Sequence, residues 1–221
     1  MRSDTWYSEA PTENGKRIFH SPAISTFSDH IVISYRVADL IKTLDPHPRM
    51  ENIFSVPLSM MQPTIGDLAA GALRLGLLIR GGITVGPLYH QAGVVIGKAM
   101  NEAYDLEARV ASYPRVVVSK KVYSRAQINP REKFLPVDTD GITHYNYFTN
   151  LILDFNKSQA GSGLEHISAG YELAMQLIEE NIEKFEAAEK WNPLSKWAWM
   201  KSTMLQTRAR MNDALFTKKT A

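Results

Sequence analysis

The chain has 221 residues, a net charge of +2, a hydrophobic content of 44% and a charged content of 22%. These values are typical of a globular protein with one sizeable core, and so small a net charge gives no reason to expect a nucleic-acid partner. No apolar run is long enough to cross a membrane, so we expect no membrane association. The absence of cysteine excludes disulfides and thiolate metal sites and fits a cytoplasmic protein.

The N-terminal half opens with a polar stretch. Residues 1–20 show no hydrophobic period and contain proline and glycine, which predicts a loosely attached segment. Between residues 24 and 35, two β-prone runs flank Ser28 and Asp29 and predict a β-hairpin with Asp29 at its tip. Residues 45–63 are rich in proline and predict a connecting loop.

The central region alternates between helix and strand patterns. In chain order, the predicted elements are a buried helix at 65–79, strands at 81–89 and 93–96 with a turn at 90–92, a helix from Gly97, and a strand at 115–119. Pro114 ends the second helix. This order favours an α+β sandwich, in which helices pack on one face of a mixed sheet.

The C-terminal third has a different pattern. Apolar residues at helical spacing predict two helices, from Ile167 to Phe185 and from Trp197 to Leu215, with a break at Asn192-Pro193. Together they form a helical hairpin whose apolar stripes must be buried, either against the sheet or against a second subunit. The predicted regions are a polar segment at 1–20, an α+β domain at 21–150 and a helical region at 151–221.

Several common sites are excluded by their spacing. The glycine-rich stretch from Gly93 to Ala99 is one residue too short for a phosphate loop and lacks the hydroxyl that holds magnesium. The six histidines include no pair at the i, i+4 spacing of a helical zinc site. Ser162 lies in Gly-Ser-Gly, which lacks the spacing of a hydrolase nucleophile.

The part of the chain between residues 24 and 119 carries a family resemblance. Its segments are Phe27–Ser34, Arg80–Gly86, Val95–Ala99, Ala103–Glu107 and Tyr113–Val118. In this order and with these gaps they resemble the class III nucleotidyl cyclases, and more narrowly the pyrimidine cyclases of the bacterial Pycsar antiphage system. Residues 196–205 resemble the C-terminal helix of that group more weakly. The resemblance implies a ferredoxin-like cyclase sandwich, here with a C-terminal helical hairpin, acting as a homodimer.

The resemblance also implies a metal site. Members of this family use two aspartates on neighbouring strands to hold two Mg²⁺ or Mn²⁺ ions, and Asp29 matches the second aspartate. The first belongs to a leading strand further upstream, and neither Asp4 nor its flanks fit such a strand. We expect either a shortened chain or another source for that ligand. Without the resemblance, Asp29 would be a hairpin-tip residue that accepts backbone hydrogen bonds.

The resemblance also has implications for which base is selected and which residue stabilises the charge of the transition state. Ser25 stands where purine cyclases carry lysine, and Val94 where they carry aspartate or cysteine, which implies a pyrimidine substrate. Asn101 matches the asparagine that orients the ribose. Asp105 replaces the family's transition-state arginine, so we expect Arg80 or Arg115 to supply that cation.

Both arginines also have ordinary interpretations. Arg80 would cap the end of its helix, and Arg115 would pair with Glu107.

The function implied is the conversion of a pyrimidine nucleoside triphosphate, UTP favoured over CTP, to a 3′,5′-cyclic nucleotide and pyrophosphate. In the family this product is a second messenger of antiphage defence that activates a separate effector protein. The site would be composite and lie between two subunits of a cytoplasmic homodimer. The alternative is a catalytically degenerate cyclase-like module for dimerisation or nucleotide binding, favoured by Asp105 and by the missing first aspartate.

Overall fold

The computed structural model describes residues 12–13, 16–17, 22–37, 55–125, 135–157 and 164–216. These residues form a mixed α+β protein, as predicted, with the strands in small sheets. The strands are β1 (Thr12–Glu13), β2 (Lys16–Arg17), β3 (Ala23–Phe27), β4 (His30–Ser34), β5 (Gly81–Ile83), β6 (Tyr89–Gln91), β7 (Val94–Ile96), β8 (Val116–Val118) and β9 (His144–Tyr145). The helices are α1 (Ser55–Arg74), α2 (Lys98–Asp105), a π-helical turn (Leu106–Val110), α3 (Lys120–Arg125), α4 (Phe148–Lys157), α5 (Leu164–Ala187) and α6 (Trp191–Phe216).

The predicted hairpin at residues 24–35 is confirmed. β3 and β4 pair antiparallel, Phe27 lies opposite His30, and Ser28 and Asp29 form the turn. Ser28 has a φ of 53°, a conformation that two-residue hairpin turns often require. The predicted segment at 1–20 includes a small antiparallel pair, β1 and β2. The rest of that segment, including Asp4, lies outside the described residues, as does Ser162.

The central strands form two separate units. β5 pairs parallel with β8, which pairs antiparallel with β9, and β6 and β7 form a hairpin of their own. The prediction of one strand over residues 81–89 was therefore wrong, since β5 and β6 belong to different sheets. The turn also lies later than predicted, at Ala92 and Gly93, both of which have positive φ. Two successive positive φ angles match the right-handed twist of a hairpin.

Helix α1 begins ten residues earlier than predicted, at Ser55 rather than near residue 65. Pro57 and Pro63 suggested a loop, but both lie within the helix. Pro57 lies in the first turn, where a missing N–H has no intrahelical partner to lose. Pro63 lies in the interior, where proline costs about 3 kcal/mol. Burial of Leu58 and its neighbours along the helix offsets that cost.

The C-terminal helical hairpin is confirmed as α5 and α6, with a different break. The helices separate at residues 188–190, where Glu189 has a φ of 51°. The break predicted at Asn192-Pro193 was wrong, because Pro193 lies in the first turn of α6 and starts the helix instead of ending it.

One buried cluster joins the sheet and the helical hairpin. It includes Tyr171 and Ile178 from α5, Met200 and Met204 from α6, and Val116 from β8. The apolar stripes were predicted to be buried either against the sheet or against a second subunit, and they are buried within the same chain. Helix α4 spans the predicted boundary at residue 150 and lies in this cluster, so the two predicted regions share a core. Among the described residues, no helix has the length and apolar content needed to cross a membrane.

Candidate functional site

Asp29 lies at the tip of the β3–β4 hairpin, where its side chain is 85% exposed. Its Oδ1 is 3.0 Å from Nδ1 of His30. The ring of His30 lies 5.9 Å from that of Tyr104 on α2, so the hairpin tip is next to the helix that follows β7. The structure thus presents an accessible carboxylate at the position predicted for the metal ligand.

Glu107, on the π-helical turn, connects the hairpin tip with Arg80. Its Oε1 forms an ion pair with Arg80 Nε, and its Oε2 lies 3.9 Å from Nε2 of His30. Of the ordinary alternatives, pairing of Arg115 with Glu107 was wrong, since Arg80 is the partner. Asp29, His30, Glu107 and Arg80 thus form a continuous series of polar contacts, which we call the hairpin-tip cluster.

Arg115 lies elsewhere and is almost completely buried, with 1% of its side chain exposed. Its guanidinium donates to Asp138 Oδ2 at 2.8 Å and to Asp140 at 3.0 and 2.5 Å. Trp199 Nε1 on α6 donates to the same Asp138 oxygen at 2.8 Å. These hydrogen bonds connect the start of β8 with the turn before β9 and with the C-terminal helix. The two carboxylates leave Arg115 little capacity for a phosphate.

The carboxylates of this network are held in the charged form. Burial alone would raise the pKa of Asp138, but hydrogen bonds from the Thr139 N–H and from Trp199, together with the charge of Arg115, lower it overall. The hydrogen bond from Arg115 is the main cause that lowers the pKa of Asp140. Burial also lowers the pKa of His144, on β9, to about 4, so this histidine is neutral at pH 7.

Ser25 is buried and hydrogen-bonded to a residue that sequence reasoning missed. His90, on β6, lies between two serines: its Nε2 is 2.8 Å from Ser25 Oγ and its Nδ1 is 2.8 Å from Ser34 Oγ. Because side chains alternate along a strand, Val94 points to the face of the β6–β7 hairpin opposite His90. The structure therefore does not bring Ser25 and Val94 together as a pair, and His90 takes the place beside Ser25.

The remaining predicted residues lie along α2. Asn101 is exposed on its first turns. Asp105 pairs with Arg109 at 3.2 Å, an i,i+4 contact on the helix surface. Of the predicted residues, the structure connects Asp29 with Arg80, places Asn101 on the neighbouring helix, and separates Arg115 and Val94 from them. Glu107, which lies between His30 and Arg80, belongs to the segment Ala103–Glu107, so the family resemblance had already singled out this part of the chain.

The donors at the hairpin tip are few. In the part of the chain that the structure describes, no three histidines, aspartates or glutamates are grouped to hold a metal ion. Asp29 offers a single exposed carboxylate. Mg²⁺ is usually bound through one or two carboxylates together with substrate phosphates. The donor set therefore fits an ion that is held jointly with a triphosphate, and it does not form a complete protein-only site.

Comparison with known proteins gives no match: no family model, no curated protein and no solved structure matches this chain. The cyclase interpretation therefore depends on the segments described above and on the geometry of the hairpin tip.

Proposed function

We propose that this protein is a nucleotidyl cyclase that converts a pyrimidine nucleoside triphosphate, preferably UTP, to its 3′,5′-cyclic form and pyrophosphate. The observation that carries the proposal is the hairpin-tip cluster, in which His30 and Glu107 lie between an exposed carboxylate, Asp29, and a half-exposed cation, Arg80. Attack of the 3′ oxygen on the α-phosphorus builds negative charge on both the attacking and the leaving oxygen, and such a reaction needs cations at the phosphates.

In this proposal each residue has a limited task. Asp29 holds a Mg²⁺ or Mn²⁺ ion, which when bound stabilises the charge on the phosphate oxygens. Arg80 binds the phosphate chain, and Asn101 orients the ribose from α2. Ser25, which stands where purine cyclases carry lysine, is buried and hydrogen-bonded to His90, and through the family resemblance this replacement supports a pyrimidine base.

A homodimer and a defence role in the cytoplasm, with a separate effector, remain part of the proposal through the family resemblance. One argument for the dimer is removed by the structure. The stripe of Trp197, Met200 and Met204 is buried in the chain's own core, so its apolar character no longer calls for a second subunit.

A second candidate, a cyclase-like binding module without activity, is favoured by specific contacts. Asp105, in place of the family's arginine, is paired with Arg109 on its own helix. The buried Arg115 is paired with two carboxylates. Arg115 is thus withdrawn from the role of the missing cation, and of the two arginines predicted for that role Arg80 is left.

The experiment is a competition among the four ribonucleoside triphosphates with Mn²⁺, with products identified by mass spectrometry. We expect cyclic UMP, followed by cyclic CMP, in excess over both cyclic purines. Predominant cyclic AMP or GMP would overturn the substrate, and no cyclic product from the folded protein would favour the binding module.

Asp29→Asn is the matching variant, because it keeps the size of the side chain and removes its charge. Loss of a metal ligand removes several kcal/mol of transition-state stabilisation, so we expect turnover to fall by about 100-fold or more. Glu180→Gln, on the exposed surface of α5, removes the same charge outside the hairpin-tip cluster and serves as the control. Equal activities of the two variants would contradict the role of Asp29.

A further inference from the structure

The π-helical turn places Glu107 in a restrained position. The turn closes with a hydrogen bond from the Ala111 N–H to the Leu106 carbonyl at 2.9 Å. It packs directly on β5, because a Cβ added to Gly82 would lie 2.4 Å from the Ala103 carbonyl oxygen and 2.7 Å from Leu106 Cβ. Single π-helical turns are frequent at functional sites. The backbone that carries Glu107 is therefore fixed relative to the strand that follows Arg80.

Glu107 holds Arg80 by one end of its guanidinium. The carboxylate is 15% exposed, whereas the arginine side chain is 45% exposed. The nearest atoms of this ion pair are Arg80 Nε and Glu107 Oε1. A guanidinium whose Nε side faces a carboxylate keeps its two terminal nitrogens as a pair of parallel donors. That pair matches two oxygens of a phosphate.

The other end of the cluster brings in the metal candidate. Glu107 Oε2 lies 3.9 Å from His30 Nε2, and the opposite ring nitrogen of His30 lies 3.0 Å from Asp29. The ring of His30 therefore lies between the two carboxylates, and Glu107 in turn contacts Arg80. A divalent ion at Asp29 and a phosphate at Arg80 would attract each other, because their charges are opposite.

We propose that Glu107 is a positioning residue of a polyphosphate site, in which it orients Arg80 to bind the phosphate chain of a nucleotide. That the ligand is a nucleoside triphosphate rests on the proposed function. The site itself requires only a polyphosphate and a divalent cation. Glu107 does not touch the ligand. It sets the direction of the guanidinium and restricts it to one orientation.

The test uses inorganic tripolyphosphate with Mg²⁺, titrated into the full chain by calorimetry. Arg80→Met removes a charge-assisted bidentate contact and should weaken binding by about 10- to 100-fold. Glu107→Ala removes a negative charge that repels phosphate but also releases the direction of Arg80. We expect the loss of orientation to dominate and to weaken binding by about 3- to 10-fold. Glu107→Gln keeps a side-chain oxygen within reach of Nε and should restore most of that loss. Arg109→Met, an exposed arginine on the same turn, serves as the control.

The outcomes separate positioning from stability and from catalysis. A role of Glu107 in stability alone would lower the melting temperature of Glu107→Ala but leave its affinity for tripolyphosphate at the wild-type value, which would overturn the proposal. Absence of binding to the wild type, or equal binding by Arg80→Met, would overturn it as well. Binding that depends on Arg80 and Glu107, without any cyclic product, would leave this site in place and refute the cyclase activity.

Discussion

Replacement of Arg115 by methionine should destabilise the protein strongly, because the side chain is 1% exposed and makes three hydrogen bonds to two carboxylates. Breaking a buried ion pair by removing one partner typically costs 3–5 kcal/mol. The lower end applies here. Asp140 is 42% exposed and is solvated when the arginine is lost. Asp138 keeps its hydrogen bonds from Thr139 and Trp199.

We therefore expect Arg115→Met to lower the free energy of unfolding by about 3 kcal/mol. Urea denaturation followed by circular dichroism measures this value. The denaturant slope should stay unchanged, since the surface exposed on unfolding is the same. Such a loss still leaves a folded protein, because domains of this size have about 5–15 kcal/mol of stability.

Arg109→Met is the matched control. Arg109 forms an ion pair with Asp105 at 3.2 Å, but the two side chains are 78% and 53% exposed. Exposed i,i+4 pairs contribute only about 0.3–0.5 kcal/mol. A loss below about 1 kcal/mol for Arg115→Met, similar to that of the control, would refute the structural role. Arg115 would then again be a candidate for contact with phosphate.

Two further predictions concern stability. Burial lowers the pKa of His144 to about 4; the unfolded chain therefore binds a proton first as the pH falls below about 6.5. The contribution of neutral His144 to the free energy of unfolding is complete above pH 6.5 and is lost towards pH 4. On going from pH 7 to pH 4.5, His144→Phe should therefore lose about 2 kcal/mol less of this free energy than the wild type, as measured by urea unfolding. The same pH dependence in both proteins would contradict this. Gly82→Ala should lower the free energy of unfolding by about 1–3 kcal/mol, because the added Cβ would overlap α2. Gly71→Ala on α1, where the added Cβ meets open space, should instead stabilise the protein by about 0.5–1 kcal/mol. Equal melting temperatures of the two variants would refute the packing argument.

Local patterns predicted those elements whose side chains and turns agree with their surroundings. The β3–β4 hairpin followed from two β-prone runs around Ser28 and Asp29, and the C-terminal helices followed from their apolar period. The start of α1 could not be predicted, because two prolines oppose a helix there. Burial of Leu58 and hydrogen bonds from the Tyr145 hydroxyl to the Leu58 carbonyl and from Gln62 to the Asn146 carbonyl favour it. These contacts join residues far apart in the chain, and a local pattern contains no information about them.

The candidate site divides in the same way. Asp29 and Arg80 lie in segments that the sequence singled out, and the contact between them runs through Glu107 in a third such segment. The buried network of Arg115 could not be foreseen, since its partners lie 23 residues away at Asp138 and 61 residues further on from there at Trp199. The place of His90 beside Ser25 likewise arises from the contact between two hairpins.

The sequence predicted Arg80 and Arg115 equally as phosphate-binding residues, and their partners in the structure now distinguish them. Arg115 is shared by two carboxylates and withdrawn from solvent, and these three groups together carry a net negative charge that disfavours a phosphate. Arg80 shares one carboxylate and is half-exposed. The hairpin-tip cluster contains two carboxylates, Asp29 and Glu107, and one guanidinium, so these groups together carry a net negative charge. A polyphosphate carries several negative charges, so it should bind there only together with a divalent cation. Affinity for tripolyphosphate should therefore collapse when Mg²⁺ is removed by chelation, and undiminished binding without the ion would show that the anion binds elsewhere on the protein.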